Sequence, residues 1–248
     1  MRMRATFLTF CLLAAGSTAA QTPTGDQILQ KVDDNFGSDN KVSQVQMVIQ
    51  GRRGSRTVES RSWIIGARDH SFTEYLAPAR EKGTKMLKLD DQLWTYTPST
   101  DRIILISGHM LRQSVMGSDL SYEDSMEDKR LRNLYDAEVV GEESFLDRPC
   151  WVLELSAKVE DIAYHSRKIW VDRERAVVLK ENRYAKSGKL LKTTEVQSMS
   201  RMEGRWVADR ILFKDVLKHG EGTIFIIKSI QFDADIPEHI FSKASLRR

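Results

Sequence analysis

Met110–Met126 reads MLRQSVMGSDLSYEDSM and fits neither a strand nor one regular helix. Met110, Leu111, Val115, Met116 and Leu120 are apolar, and Gly117 breaks the run. Ser118-Asp119 offers an N-cap for a short turn through Tyr122 and Met126. Strand-like runs flank the segment, Arg102–Ile106 (RIILI) before it and Ala137–Phe145 after it. An irregular, methionine-rich insert among alternating strands points to an adaptable cover over a sheet, because methionine shapes itself to poorly defined apolar partners.

Upstream, a period of two begins at Val42. Val45, Met47 and Ile49 alternate with Gln44, Gln46 and Gln50, and the turn falls at Gly51-Arg52-Arg53-Gly54-Ser55. Trp63 and Ile65 share a face of the next run, and Phe72–Leu76, Lys85–Asp90 and Leu93–Thr97 follow as short strands. Downstream, longer alternating runs continue to Phe232 with short polar connections such as Lys186-Ser187-Gly188 and Glu203-Gly204. Connections this short join antiparallel neighbours, since a parallel crossover needs far more chain. Ahead of the strands, Thr24–Phe36 carries Ile28, Leu29, Val32 and Phe36 on one helical face, with Thr24 or Asp26 as cap and Gly37 as terminator. Ile236–Phe241 reads as a turn that pins the C-terminus.

Roughly a dozen strands in one meander leave two exposed edges unless the sheet curls, so a strongly curved or partly closed sheet is expected. The helix and the insert are the elements available to cover its concave face. If that cover packs loosely, the apolar face becomes a lipophilic pocket.

The first residues carry a different message. Arg2 and Arg4 precede the apolar run Phe7–Ala15, and Ser17–Ala20 supplies small residues before Gln21. Residues 1–20 thus read as a removed secretory signal, with one domain over 21–248. The net charge of +3 loses two arginines with the signal and falls to +1, which gives no electrostatic reason to bind nucleic acid. Cys150, beside Trp151, Leu153 and Leu155, reads as a buried structural thiol.

Chemistry-bearing constellations are scarce. The histidines (70, 109, 165, 219, 239) lack metal-ligand spacing, and there is no GxSxG, phosphate-binding glycine loop or dinucleotide fingerprint. No cofactor, metal or catalytic residue is assigned, and an enzyme is not expected. Glu123-Asp124 and Glu127-Asp128 could serve acid/base work, but such a cluster is more often a solvated helix face. Arg80, Lys82, Lys85 and Arg112 lie near strand ends where they could attract an acidic headgroup.

The run MGSDLSYEDSM at 116–126 resembles the outer-membrane lipoprotein-sorting proteins related to LolA, as do Tyr75-Leu76-Ala77-Pro78, Lys82–Leu87, Leu93–Pro98 and the closing Ile236-Pro237…Phe241-Ser242. The resemblance implies a periplasmic protein with a half-open antiparallel β-barrel of about 11 strands, its concave face under an N-terminal helix and a central lid. It also implies a non-enzymatic carrier that shelters lipoprotein acyl chains or another lipid. An inner-membrane transporter of ABC or RND type would be donor or acceptor, with transient membrane contact. The expected cavity wall is Trp63, Ile65, Phe72, Leu87 and Trp94, and the expected lid is Met110, Leu111, Val115, Met116, Leu120 and Tyr122. The competing expectation is an accessory or sensor module that docks an envelope transporter or regulator without carrying lipid.

Overall fold

A computed structural model describes residues 22–36, 40–51, 54–127 and 130–248. The signal-like segment, the helix-ending Gly37, the Arg52-Arg53 turn and Asp128 lie outside the described residues.

Helix α1 spans Gly25–Phe36. Thr24 caps it: its Oγ1 accepts from Gln27 N while Gln27 Oε1 accepts from Thr24 N. Six strands follow, β1 (Asn40–Gly51), β2 (Gly54–Ile65), β3 (His70–Ala77), β4 (Lys85–Leu89), β5 (Gln92–Thr97) and β6 (Arg102–Ile106). After the insert, with short helices α2 (Tyr122–Met126) and α3 (Leu131–Leu134), come β7 (Tyr135–Phe145), β8 (Arg148–Ala157), β9 (Ser166–Asp172) and β10 (Val178–Tyr184). Strands β11 (Leu190–Met202), β12 (Arg205–Asp215) and β13 (Gly222–Phe232) complete the set. All join one sheet, ordered β6-β5-β4-β3-β2-β1-β13-β12-β11-β10-β9-β8-β7. It holds 13 strands rather than about 11, each paired antiparallel to its neighbours.

The order has a consequence for the insert. Strands β1 and β13 pair with each other in the middle, so the free edges are β6 and β7, which are consecutive in the chain. The segment between them does not connect neighbours. It has to cross from one edge of the sheet to the other.

The crossing also demonstrates the curvature. Lys88 on β4 donates to the carbonyl oxygen of Met126 at 2.9 Å, and the next residue, Glu127, pairs with Arg167 on β9. Strands β4 and β9 are eight spacings apart, about 38 Å across a flat sheet at 4.7–4.9 Å each. Consecutive residues and two long side chains cannot bridge that gap unless the sheet curls around them. The result is a half-open barrel with the insert in its hollow.

Alternation assigns the two faces. Met47, Ile49, Val58, Tyr75, Met86, Leu93 and Ile106 form one buried cluster, to which Met110, Leu111, Val115, Met116, Tyr122 and Met126 of the insert belong. This is the concave face. Farther round the same face, α1 packs Ile28, Leu29 and Val32 onto Tyr135, Trp151, Leu153, Leu155 and Ile169. Gly25 lets the helix approach β7: a Cβ there would lie 2.3 Å from the carbonyl oxygen of Ala137. Cys150, Val152 and Trp170 sit on the opposite side of β8 and β9, and the Cys150 thiol is buried and raised in pKa by that burial.

The residues of the expected cavity wall lie on the face opposite the insert. Phe72, Leu87 and Trp94 pack with Leu246, and Trp63 joins them beside Ile240 and Phe241 of the C-terminal tail. Ile65, half-buried, shares Trp63's side of β2 by alternation. The reason is parity: on β4 Met86 points into the hollow, so Leu87 points out. These aromatics are roofed by the tail, not by the insert.

Candidate functional site: the hollow face and its strap

Residues 107–127 build a strap in three pieces. A 3-10 turn, Gly108–Arg112, delivers Met110 and Leu111 to the apolar cluster. Next comes a small closed loop, in which Val115 N donates to Leu120 O (2.9 Å) and Tyr122 N to Gln113 O (3.1 Å). Its tip requires left-handed backbone at Met116 (φ 51°) and Gly117 (φ 70°), and only the second is free of cost. Arg56 of β2 donates to the Met116 carbonyl oxygen and fixes that tip to the sheet. Helix α2 is then capped by Ser121, not by Ser118-Asp119. Ser121 Oγ accepts from Asp124 N (3.3 Å), and Asp124 Oδ2 accepts from Ser121 N (2.7 Å).

The displaced Asp119 has another task. Its carboxylate accepts from Thr223 Oγ1 on β13 (2.8 Å) and from Asp215 N on β12 (3.0 Å), while Asp119 N donates to Thr223 Oγ1 (3.0 Å). Lys218 donates to the Ser118 carbonyl oxygen at 2.7 Å. The expected lid residues Met110, Leu111, Val115, Met116 and Tyr122 all reach the concave cluster, and Leu120 is half-buried.

Beyond α2 the hollow turns from apolar to ionic. Asp124, with a side chain only 3% exposed, accepts from Tyr164 Oη (2.6 Å), from Arg183 of β10 (3.2 Å) and from Lys192 of β11. Glu127 pairs with Arg167 of β9, whose other guanidinium nitrogen meets Glu181 of β10 at 2.6 Å. Glu181 is also paired with Arg183 at 2.9 Å. Burial works against both Asp124 and Glu181, but Lys192 and Arg183 on the first, and Arg183 and Arg167 on the second, hold each carboxyl down to about 2. Burial, and then the nearby Asp124 charge, raises the Tyr164 phenol well above its ordinary value, so it serves as donor.

Of the carboxylates that resembled a solvated helix face, Asp124 and Glu127 are therefore internal ties. Glu123 stands apart: burial, opposed chiefly by Arg112, pushes its carboxyl upward. Of the cations singled out near strand ends, Arg112 lies in the strap near Glu123, whereas Lys85 is buried beneath the tail, donating to the carbonyl oxygens of Ser245 and Arg248. Arg167, Arg183 and Lys192 were missed because nothing in their strands distinguishes an inward cation from an outward one. The described residues contain no group of three or more His, Cys, Asp or Glu able to hold a metal ion. No described helix is long and apolar enough to cross a membrane. The hollow thus offers apolar burial and fixed charge, held under a strap.

An open antiparallel barrel with a helix and a strap across its hollow defines a LolA-like fold. A domain described as an outer membrane lipoprotein-sorting protein from Vibrio parahaemolyticus superposes with TM-score 0.79 at 24% identity, covering 90% of this chain and 98% of that one. A DUF1329 family protein from Desulfovibrio piger gives 0.80 at 24% identity over 90% and 97%. A LolA superfamily protein from Nitrosomonas europaea gives 0.75 at 25% identity over 90% and 100%. A family model whose description reads "Uncharacterized protein" matches residues 67–248, from the turn before β3 through the strap to the last residue. The chain belongs to that family and is LolA-like. No curated protein matches it.

Proposed function

We propose that this protein is a periplasmic carrier that shelters the acyl chains of lipoproteins or other lipids in the hollow of its barrel, and that it is not an enzyme. The observation carrying this reading is the occupancy of the concave face. Met110, Leu111, Val115, Met116, Tyr122 and Met126 belong to a strap of one continuous chain stretch, and they cover Met47, Ile49, Val58, Tyr75, Met86 and Leu93. Withdrawal of the strap exposes a continuous apolar wall, and an acyl chain can replace the departing side chains. Transfer of hydrocarbon from water contributes about 0.8 kcal/mol per CH₂. A partner that favours the withdrawn strap, such as an inner-membrane transporter, would govern loading or release, because it can shift the equilibrium only by its differential affinity. The lipoprotein-sorting description of the Vibrio relative supports the same reading.

Native mass spectrometry of the protein gently purified from an envelope fraction, with added fluorescent fatty acid as a second arm, tests the proposal. Co-purified lipid or saturable uptake is expected. A protein that is empty and takes up nothing contradicts it.

A second reading has its own observation. The strap is tied by Asp119, Asp124 and Glu127 as well as by apolar contact. A permanently closed strap would leave an accessory or sensor module that docks an envelope transporter or regulator. A stoichiometric, lipid-free complex recovered from envelope extracts would favour it.

A further inference from the structure

The ionic half of the hollow is unlike a simple hydrocarbon pocket. Arg167, Arg183 and Lys192 lie on three consecutive strands; Arg167 and Arg183 share one carboxylate of the wall itself, Glu181, while Lys192 stands in register with Asp215 of β12. Charge balance comes from the strap, through Asp124 against Arg183 and Lys192, and Glu127 against Arg167. Moreover, Nε of Arg167 and Nε of Arg183 are buried without a hydrogen-bond partner. The wall therefore holds more donor capacity than the strap uses, and buried donors normally find acceptors.

The geometry points to an acidic headgroup as the second half of the ligand: Arg167, Arg183 and Lys192 form the seat for the phosphate or carboxylate of an anionic amphiphile, and Asp124 and Glu127 of the strap occupy that seat when no ligand is present. This inference rests on the carrier reading and names its ligand class. The selectivity has a direct physical cause. An uncharged amphiphile that displaces the strap leaves the buried Arg167 and the partly buried Arg183 and Lys192 without their strap carboxylates, whereas an anionic one restores the lost pairs. A phosphate or carboxylate also has lone pairs for the two idle guanidinium nitrogens. The apolar cluster under Met110 to Met126 takes the chain, so headgroup and tail are read by adjacent parts of one hollow.

The test compares oleoyl lysophosphatidic acid with monoolein, which share an acyl chain and differ in the phosphate, on the full mature protein. Inorganic phosphate alone is added as a competitor. The acidic amphiphile is expected to bind at least about tenfold more tightly. Lys192→Gln is expected to shrink that ratio, and Glu127→Gln to tighten the binding of both amphiphiles by removing a strap charge that either must displace. Equal binding of the two amphiphiles overturns the headgroup seat while the carrier reading stands. Binding of neither removes both. Inorganic phosphate that displaces the acidic amphiphile as well as the amphiphile displaces itself also overturns the inference, in favour of a free-anion site. Should Lys192→Gln fail to give a cooperative melt, the wild-type comparison decides alone.

Discussion

The phenol of Tyr164 donates to Asp124 at 2.6 Å, and through it the capping-box carboxylate of α2 is bound to the loop before β9. The same carboxylate takes Arg183 and Lys192, so one side chain organises the helix start and its attachment to the sheet. Tyr164→Phe removes one donor and keeps the ring. It should cost about 1 kcal/mol in denaturant unfolding. Hydrogen exchange should accelerate at amides 118–126 more than in β1 or β13; uniform acceleration would show that Tyr164 does not act on the strap.

Acid should loosen the strap. Asp124 and Glu181 have folded-state values near 2, below their ordinary values of 3.8 and 4.5. A carboxylate so depressed adds stability that is fully present above its unfolded value and is lost as pH falls through the folded one. Denaturant midpoints should hold steady above about pH 5 and decline between about pH 4.5 and 2. Asp124→Asn should flatten the decline; an unchanged slope would mean that this carboxylate is not linked to folding.

The docking of α1 depends on the missing side chain at Gly25. A Cβ there would come within 2.3 Å of the Ala137 carbonyl oxygen and 2.9 Å of Ala137 Cβ, which the helix can escape only by moving off β7. Gly25→Val should destabilise the fold by about 1–3 kcal/mol, the usual cost of overpacking. A thermal melt as high as the parent's would show that the helix shifts freely.

Leu246 separates the two faces experimentally. It is fully buried against Phe72, Leu87 and Trp94 on the convex side. Leu246→Ala should cost about 2–5 kcal/mol and leave uptake of fluorescent fatty acid unchanged at temperatures where the variant is folded. Loss of uptake in a folded variant would return those aromatics to the ligand site.

Much of this architecture was legible in the chain because short polar turns and period-two runs report local pairing. The helix face Ile28, Leu29 and Val32, and the apolar strap residues, were readable for the same reason. Three things were not. Which edge strands exist depends on the β1–β13 pairing, a contact between the two ends of the sequence that no local pattern encodes. Which face of β2–β5 looks inward was hidden because both faces are apolar, one under the strap and one under the C-terminal tail. The role of Asp124 and Glu127 was obscured similarly, since their partners Arg167, Arg183 and Lys192 come from strands distant in sequence.

The account rests on the strap leaving the hollow when an acyl chain enters, and a reversible covalent lock tests that most directly. Asp119 and Thr223 meet side chain to side chain at 2.8 Å across the strap and β13. In Asp119→Cys/Thr223→Cys, with disulfide formation verified by mass, acyl-chain binding should be abolished in the oxidised protein and recovered on reduction. Equal binding in the oxidised and reduced forms would contradict the account.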